Sequence, residues 1–378
     1  MRSHPDSPIS SSPADRRVAT GASLLALQFF AVAWVVLNQF RDHLGLEIGA
    51  RSGLVAKGYL GAGLFFVVGG FLVCRQRAEP SEVGRCRHGW LLWRRLAFIY
   101  PLHLLVLVAM SAALVFDLGQ PLHRTSFPPD DLPANILLAQ AWGFVKTDSW
   151  NFPSWLVSAE WFAWLMFPLT AWVALRVLRS TTLALAAPMV LFVTLFLIAQ
   201  ANGVLFTDMT AQIGALQTIP AYLLGAALWR LDQERILPQA AAAALAATAV
   251  AWIIAGASLR LSDILIWPAF GPLIFGLVQT IKSPLRPRDW SPLVYLGRLS
   301  VAMLLIYLPV DIAYFRAGRL LFGPLHGLQA GWLLLGVFPT ILLAAMVAHH
   351  CVQRPIWLWL RQLDPFGAER RSKPGTGA

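Results

Sequence analysis

The stretch that decides the fold is Ser154-Trp-Leu-Val-Ser-Ala-Glu-Trp-Phe-Ala-Trp-Leu-Met-Phe-Pro168, part of an apolar, aromatic run that reaches to about Leu178. At about 1.5 Å per residue, this run is long enough to cross a bilayer as a helix. It contains one carboxylate, Glu160. A charge inside hydrocarbon is costly, so proteins keep one only where a partner or a water-filled cavity receives it. Glu160 is therefore a candidate functional residue, although a structural carboxylate neutralised by a neighbouring arginine would give the same pattern.

The composition of the whole chain is that of an integral membrane protein. Of its 378 residues, 57% are hydrophobic and only 13% are charged. The sequence predicts an all-α, polytopic fold of about ten transmembrane helices, because apolar runs of spanning length recur from end to end. These runs cover about residues 21–40, 54–74, 96–116, 155–178, 181–201, 213–230, 236–257, 261–281, 292–315 and 328–351. The segment 134–145 is too short to span, and we expect it to be re-entrant or to lie at the outer surface.

The basic residues predict the orientation of the chain. The net charge is +11, and most of the 30 lysines and arginines fall in alternate loops if the N-terminus is inside and 134–145 does not cross. The positive-inside rule then places both termini in the cytoplasm. The same rule explains the positive charge without a nucleic-acid partner, and no basic-aromatic patch of the nucleic-acid type is present.

The polar ends of the chain indicate its domain organisation, and its few cysteines bear on disulfide and metal binding. We expect residues 1–18 to be a disordered cytoplasmic tail, residues 19–360 to form one transmembrane domain, and residues 361–378 to form a second tail. The three cysteines, Cys74, Cys86 and Cys351, have no CxxC spacing. This pattern predicts neither a disulfide nor a metal site.

Five segments, taken in order, resemble motifs of the acyltransferase-3 family, whose members modify bacterial surface polysaccharides and lipid-linked sugars. Trp155 to Pro168 is similar to the family's W-S-L-x-x-E-x-x-F-Y-L-x-F-P, which places Glu160 at the family's glutamate. The remaining motifs correspond to the runs Gly61–Val73, Trp93–Leu102, Tyr295–Pro309 and Val352–Pro355. The resemblance extends from about residue 21 to 360. It implies a membrane acyltransferase with acyl-CoA as donor.

This sequence departs from the family pattern at ionisable positions. The family's first span reads L-R-G-x-A-A-x-x-V-V-x-x-H, in which the histidine is the presumed catalytic base. Here the same register, Leu27 to Gln39, replaces the arginine with Gln28 and the histidine with Gln39. The other neutral or aromatic replacements are Gly63, Phe98, Tyr307 and Gln353. Because an amide does not titrate, Gln39 cannot be the general base that acyl transfer to a hydroxyl requires.

Two groups of residues are candidates for the remaining chemistry. By resemblance, Arg94, Arg95 and Tyr100 could bind acyl-CoA, with the guanidinium groups on its phosphates. The two arginines could equally be positive-inside anchors. His43 lies one helical turn beyond Gln39 and could replace the missing base beside Glu160, although a solvated loop histidine is the simpler explanation.

The other histidines have simpler expectations. His103 is expected to be packed or hydrogen-bonded within the third span. His349 and His350 are expected near the membrane interface.

The function expected from the resemblance is transfer of an acyl group, such as acetyl, from acyl-CoA to a hydroxyl of a saccharide or glycan precursor. The catalytic candidates are Glu160, Gln39, His43 and Tyr307. The expected location is the bacterial inner membrane, in contact with lipid and possible partner acyltransferases or polysaccharide-assembly proteins. Two alternatives stay open. The lost charged positions would suit a catalytically degenerate member that acts as a glycan- or lipid-binding subunit or as the partner of an active enzyme, and the intramembrane carboxylates Glu160 and Asp311 in broken spans would suit a transporter.

Overall fold

The computed structural model describes residues 13–40, 52–77, 86–115, 127–146, 149–203, 210–280, 292–323 and 328–363, and within them it contains helices and no strands. The α-helices, in chain order, are α1 Pro13–Gln39, α2 Gly53–Ala56, α3 Leu60–Arg77, α4 Cys86–Val115, α5 Leu132–Ile136, α6 Trp155–Trp172, α7 Thr181–Ala201, α8 Thr210–Glu234, α9 Gln239–Ser258, α10 Asp263–Ile266, α11 Phe270–Thr280, α12 Pro292–Phe322, α13 Leu328–Ala348 and α14 Arg354–Leu360. Short π-helical turns follow α6 at Val173–Val177 and α13 at His349–Gln353.

Within the described residues, seven helices are long and apolar enough to cross a membrane: His88–Val115, Phe152–Val177, Thr181–Ala201, Gln239–Ser258, Asp263–Thr280, Pro292–Phe322 and Leu335–Leu360. Two further apolar helices, Ser23–Gln39 and Leu60–Gln76, are shorter. The predicted all-α membrane architecture is confirmed, whereas the count of about ten spans is not. Helix α1 begins at Pro13, within the predicted N-terminal tail, and most of both tails lies outside the described residues.

Basic residues gather at one end of the helix bundle. The Arg75 guanidinium, near the end of α3, lies against Gly21 in α1. Arg230, near the end of α8, donates a 2.7 Å hydrogen bond to the Leu178 carbonyl, directly after the π turn that follows α6. We call this the arginine-rich end, after Arg75, Arg230, Arg298 and Arg354, and the opposite end the loop end.

A short non-spanning segment packs into the loop end, as the sequence predicted. Helix α5 and the π turn Gln140–Phe144 belong to it. The Ser158 hydroxyl of α6 donates to the Leu138 carbonyl at 2.7 Å and accepts from the Ala141 amide at 3.1 Å. The His103 Nε2 atom of α4 lies 2.8 Å from the Asn135 carbonyl oxygen. These bonds tie the segment to both α4 and α6, and so fix the position at which α6 begins.

A proline inside α12 creates a second attachment point for this segment. Pro309 has no amide hydrogen, so the Leu305 carbonyl one turn earlier loses its helical donor. The buried Asn151 side chain supplies the donor instead, through an Nδ2-to-oxygen bond of 2.9 Å. The segment that leads into α6 therefore satisfies a polar group that the helix itself cannot.

A buried ion pair joins two distant parts of the chain at the loop end. Lys57 Nζ lies 2.5 Å from Asp263 Oδ1, and the Tyr59 hydroxyl lies 3.0 Å and 3.1 Å from the two carboxylate oxygens. Asp263 is 5% exposed, so its charge depends on these partners.

Helices α3 and α8 cross with their backbones in close contact. A Cβ atom at Gly225 would collide with the Val67 carbonyl oxygen, and one at Gly70 would lie 2.7 Å from the Tyr222 Cα atom. Small residues permit such close helix packing in membranes. This crossing places Tyr222 beside Gly69 of α3, and the Glu160 carboxylate of α6 lies next to the same glycine.

Candidate active site

Glu160 lies in the centre of the bundle, where three helices approach it. Its side chain is nearly inaccessible, at 2% exposure. A Cβ atom at Gly69 of α3 would lie 3.3 Å from Glu160 Oε1 and 2.9 Å from the Tyr222 hydroxyl, so the missing side chain makes room for both polar groups. The positive charge of Arg95 on α4 also acts on this carboxylate. Glu160 is thus surrounded by polar partners on neighbouring helices, as an intramembrane charge requires.

A cavity of about 440 Å³ connects Glu160 with the arginine-rich end. Glu160 lies at its buried part, whereas Arg298 and Arg354 are exposed. Its walls combine apolar, aromatic and polar side chains, which is the usual make-up of a small-molecule site. The lining residues are Leu25, Gln28, Phe65, Arg95, Phe98, Ile99, Glu160, Trp164, Gly297, Arg298, Ser300, Val301, His349, Arg354 and Trp357.

Three guanidinium groups line this cavity, two of them exposed at its rim and the third, Arg95, further in. Arg95 stacks on the Trp164 ring of α6, with its guanidinium carbon 4.9 Å from the ring centroid. Arg298 lies in the second turn of α12, and Arg354 is the first residue of α14. Arginine binds phosphate and carboxylate groups through two parallel hydrogen bonds. The arrangement can therefore hold an anionic group at the rim while apolar walls receive an uncharged chain.

A buried histidine faces this cavity from the π turn that follows α13. His349 Nδ1 lies 2.8 Å from the side-chain oxygen of Gln353, which is fully buried. The His349 and Phe98 rings form a T-shaped pair between the π turn and α4, with centroids 6.1 Å apart. Single π turns inside α-helices are frequent at functional sites, because the wider turn redirects the side chains around it.

The structure brings together two of the residues proposed from the sequence and separates others from them. Arg95 and Glu160 line the same cavity. Arg94 packs instead over Trp90, with its guanidinium carbon 4.5 Å from that ring, and it is not among the described lining residues. Tyr100 also lies outside the described lining, with its ring centroid 6.3 Å from that of His103.

The proposed catalytic positions on α1 and α12 lie towards the loop end. Gln39 is eleven residues beyond the cavity-lining Gln28, which is about 16 Å along a helix. Tyr307 is seven residues beyond Ser300, or about 10 Å along α12. Neither is among the described residues that line the cavity, and His43 lies outside the described part of the chain.

Half of the six replaced family positions are found at this cavity. Gln28 and Phe98 line it, and Gln353 bonds the His349 ring. Gly63 lies elsewhere, where a Cβ atom would be 3.0 Å from the Trp267 indole nitrogen. The departures from the family pattern therefore alter the polar lining of the site itself.

Several residues at the site were not proposed from the sequence. Tyr222, Arg298, Ser300, His349 and Arg354 belong to this group. A signal existed for His349, since it stands four residues before Gln353 and residues at that spacing share a helix face. Tyr222 gave no such signal, because it is one polar residue in an apolar run. Across the described ranges, no group of three or more His, Cys, Asp or Glu side chains is placed to hold a metal ion.

Comparisons with known proteins agree with the motifs. Residues 22–350 match the acyltransferase-3 family model, described as an acyltransferase domain. The chain is also similar to the acyltransferase MdmB of Streptomyces mycarofaciens, at 29% identity over 160 residues. That alignment covers 40% of this chain and 40% of the relative's length. No solved structure matches this chain. Because the family match extends over most of the sequence and its spanning helices, this protein belongs to the acyltransferase-3 family.

Proposed function

We propose that this membrane protein transfers an acyl group, such as acetyl, from acyl-CoA to a hydroxyl of a saccharide or glycan precursor. The observation that carries the proposal is the cavity that joins Glu160 to a rim of arginines. A volume of about 440 Å³ suits the acyl thioester and part of the chain behind it. The nucleotide part of acyl-CoA would remain outside, with its phosphates on Arg298 and Arg354.

Arg95 and Glu160 take the inner part of this arrangement. Attack of a hydroxyl oxygen on the thioester carbon places negative charge on the carbonyl oxygen. Arg95 is the cation nearest to the buried end of the cavity, and it stabilises that charge. The negative charge of Glu160 attracts the Arg95 guanidinium, which also stacks on the Trp164 ring.

The proposed orientation places the arginine-rich end in the cytoplasm, where acyl-CoA is made. The positive-inside rule supports it. In this orientation both termini are cytoplasmic, the membrane is the bacterial inner membrane, and the segment before α6 faces outward.

A specific observation favours a second function, namely binding without catalysis. The residues that replace charged family positions at this cavity, Gln28, Phe98 and Gln353, do not titrate. A cavity of this kind could hold an acyl group or glycan and present it to a partner enzyme. The two functions differ in one outcome, which is whether the thioester is cleaved.

The test is acetyl-CoA binding and release of free thiol by the purified full chain in detergent, with candidate saccharide acceptors. Replacing Arg298 and Arg354 with glutamine should weaken acetyl-CoA binding by about tenfold or more for each charge and should reduce its salt dependence. Glu160→Gln should abolish thiol release while binding remains.

The matched control replaces Arg316 and Arg319 with glutamine. Both lie on α12, the helix of Arg298, but near its other end. This variant removes the same charge and should bind acetyl-CoA normally. Equal binding by both double variants would show that the cavity arginines are only membrane anchors. Binding without thiol release in the unmodified chain would establish the non-catalytic function.

A further inference from the structure

Acyl transfer to a hydroxyl needs a group that accepts the hydroxyl proton near neutral pH, and the α1 position at which the family carries its histidine is Gln39. An amide cannot accept that proton. Glu160 lies beside the Tyr222 hydroxyl across Gly69 and within electrostatic reach of Arg95. Among the described residues that line the cavity, His349 is the one imidazole.

The hydrogen bond to Gln353 determines which nitrogen of His349 is basic. With the Gln353 amide oxygen 2.8 Å from Nδ1, the ring nitrogen must be the donor. A neutral imidazole carries one proton, so Nε2 then holds the free lone pair. Gln353 is fully buried, and its position is therefore fixed by packing as well as by this bond.

The surroundings of the ring restrict its orientation further. Phe98 forms a T-shaped pair with it, and the π turn places His349 and Gln353 on one side of the helix. The charged and titratable groups that face the ring are His350, Arg298 and Arg354, with Arg95 and Glu160 also on the cavity wall.

From this geometry we infer that His349 is the general base of this protein, relocated from α1 to the π turn that follows α13, and that Gln353 is its positioning residue. The inference rests on the proposed function. It also assigns a role to the position of the family's closing glutamate, since the acceptor oxygen that Gln353 places there selects the ring tautomer.

The step balances with the two substrates of the proposed function. Nε2 takes the proton of the acceptor hydroxyl as its oxygen bonds to the thioester carbon. The tetrahedral intermediate then expels the coenzyme A thiolate, which takes the proton back from the imidazolium. An ester and a free thiol result, and His349 returns to its neutral form.

The test compares His349→Gln with His350→Gln in the purified full chain. His350 is the matched control, since it is the adjacent histidine but is exposed and bonded to Tyr295 at 2.9 Å. The probes are acetyl-CoA as thioester, with methyl glucoside or water as hydroxyl donor. We expect thiol release to fall by about 100- to 10,000-fold in His349→Gln, with acetyl-CoA binding unchanged, and to stay normal in His350→Gln.

Two further measurements separate a base from a structural group. Free imidazole should restore part of the activity of His349→Ala, since it can diffuse into the vacated space. Gln353→Leu should lower kcat without changing KM for acetyl-CoA, whereas Gln353→Glu, which keeps an acceptor oxygen for Nδ1, should retain activity.

The outcomes distinguish this inference from the proposed function. Thiol release that survives in His349→Gln would overturn the inference and leave the proposed function standing. The same holds if His43→Gln abolishes activity and His349→Gln does not, because the base would then lie beyond α1. If the unmodified chain releases no thiol from either probe, the catalytic function and the inference fail together.

Discussion

Replacing Asn151 with leucine should destabilise the protein, because it removes the hydrogen-bond donor of the Leu305 carbonyl. Leucine is similar in size but cannot donate to the Leu305 carbonyl, which Pro309 has already deprived of a helical partner. A buried carbonyl left without a donor costs about 1–3 kcal/mol. We therefore expect the free energy of unfolding in mixed micelles to fall by about that amount.

A double-mutant cycle tests the cause. In Asn151→Leu/Pro309→Ala, alanine restores an amide hydrogen that can bond Leu305, so most of the lost stability should return. Asn202→Leu is the control, because that asparagine also donates to a helix carbonyl, at 2.7 Å, but on an exposed helix end. If the double variant is as unstable as Asn151→Leu, the missing hydrogen-bond donor at the Leu305 carbonyl is not the cause of the lost stability.

Two other predictions concern sidedness and the ion pair at the loop end. A cysteine introduced at Ser126 should react with an impermeant reagent added from outside, whereas one introduced at Ser283 should react only from inside. The reverse pattern would refute the proposed orientation. Lys57→Met should lower the free energy of unfolding by about 3–5 kcal/mol, because it leaves the buried Asp263 unpaired. Glu234→Gln, in an exposed ion pair at the arginine-rich end, should cost far less, and equal losses would contradict this reasoning.

The sequence could single out Glu160 as a candidate, because a charge in an apolar run is conspicuous whatever surrounds it. It could not decide between Arg94 and Arg95. Adjacent residues on a helix point about 100° apart, so one can face the cavity while the other turns away. Which of them does so depends on Trp90 and Trp164, the rings on which they pack. That choice is made by tertiary packing, which hydrophobic periodicity does not reveal.

His349 shows a second limit of the sequence. Counted along the apolar run, it falls near the end of a span and suggests an interfacial residue. The structure continues the helix to Leu360 through a π turn, which keeps His349 within the bundle. No residue pattern marks a π turn in advance. The short segment 134–145, in contrast, was recognised from its length alone, and it does pack beside α6 without spanning.

The contacts of α6 also imply an order of assembly. A chain is made from its N-terminus, so Arg95 is already present when Glu160 leaves the ribosome, and the carboxylate can enter the membrane beside a cation. Asn151 has no such early partner, since Leu305 follows it by 154 residues. The segment before α6 can therefore dock fully only after α12 has been synthesised and inserted. Closure of the loop end is accordingly a late event in biogenesis, whereas the charged centre of the site begins to form when the chain is less than half made.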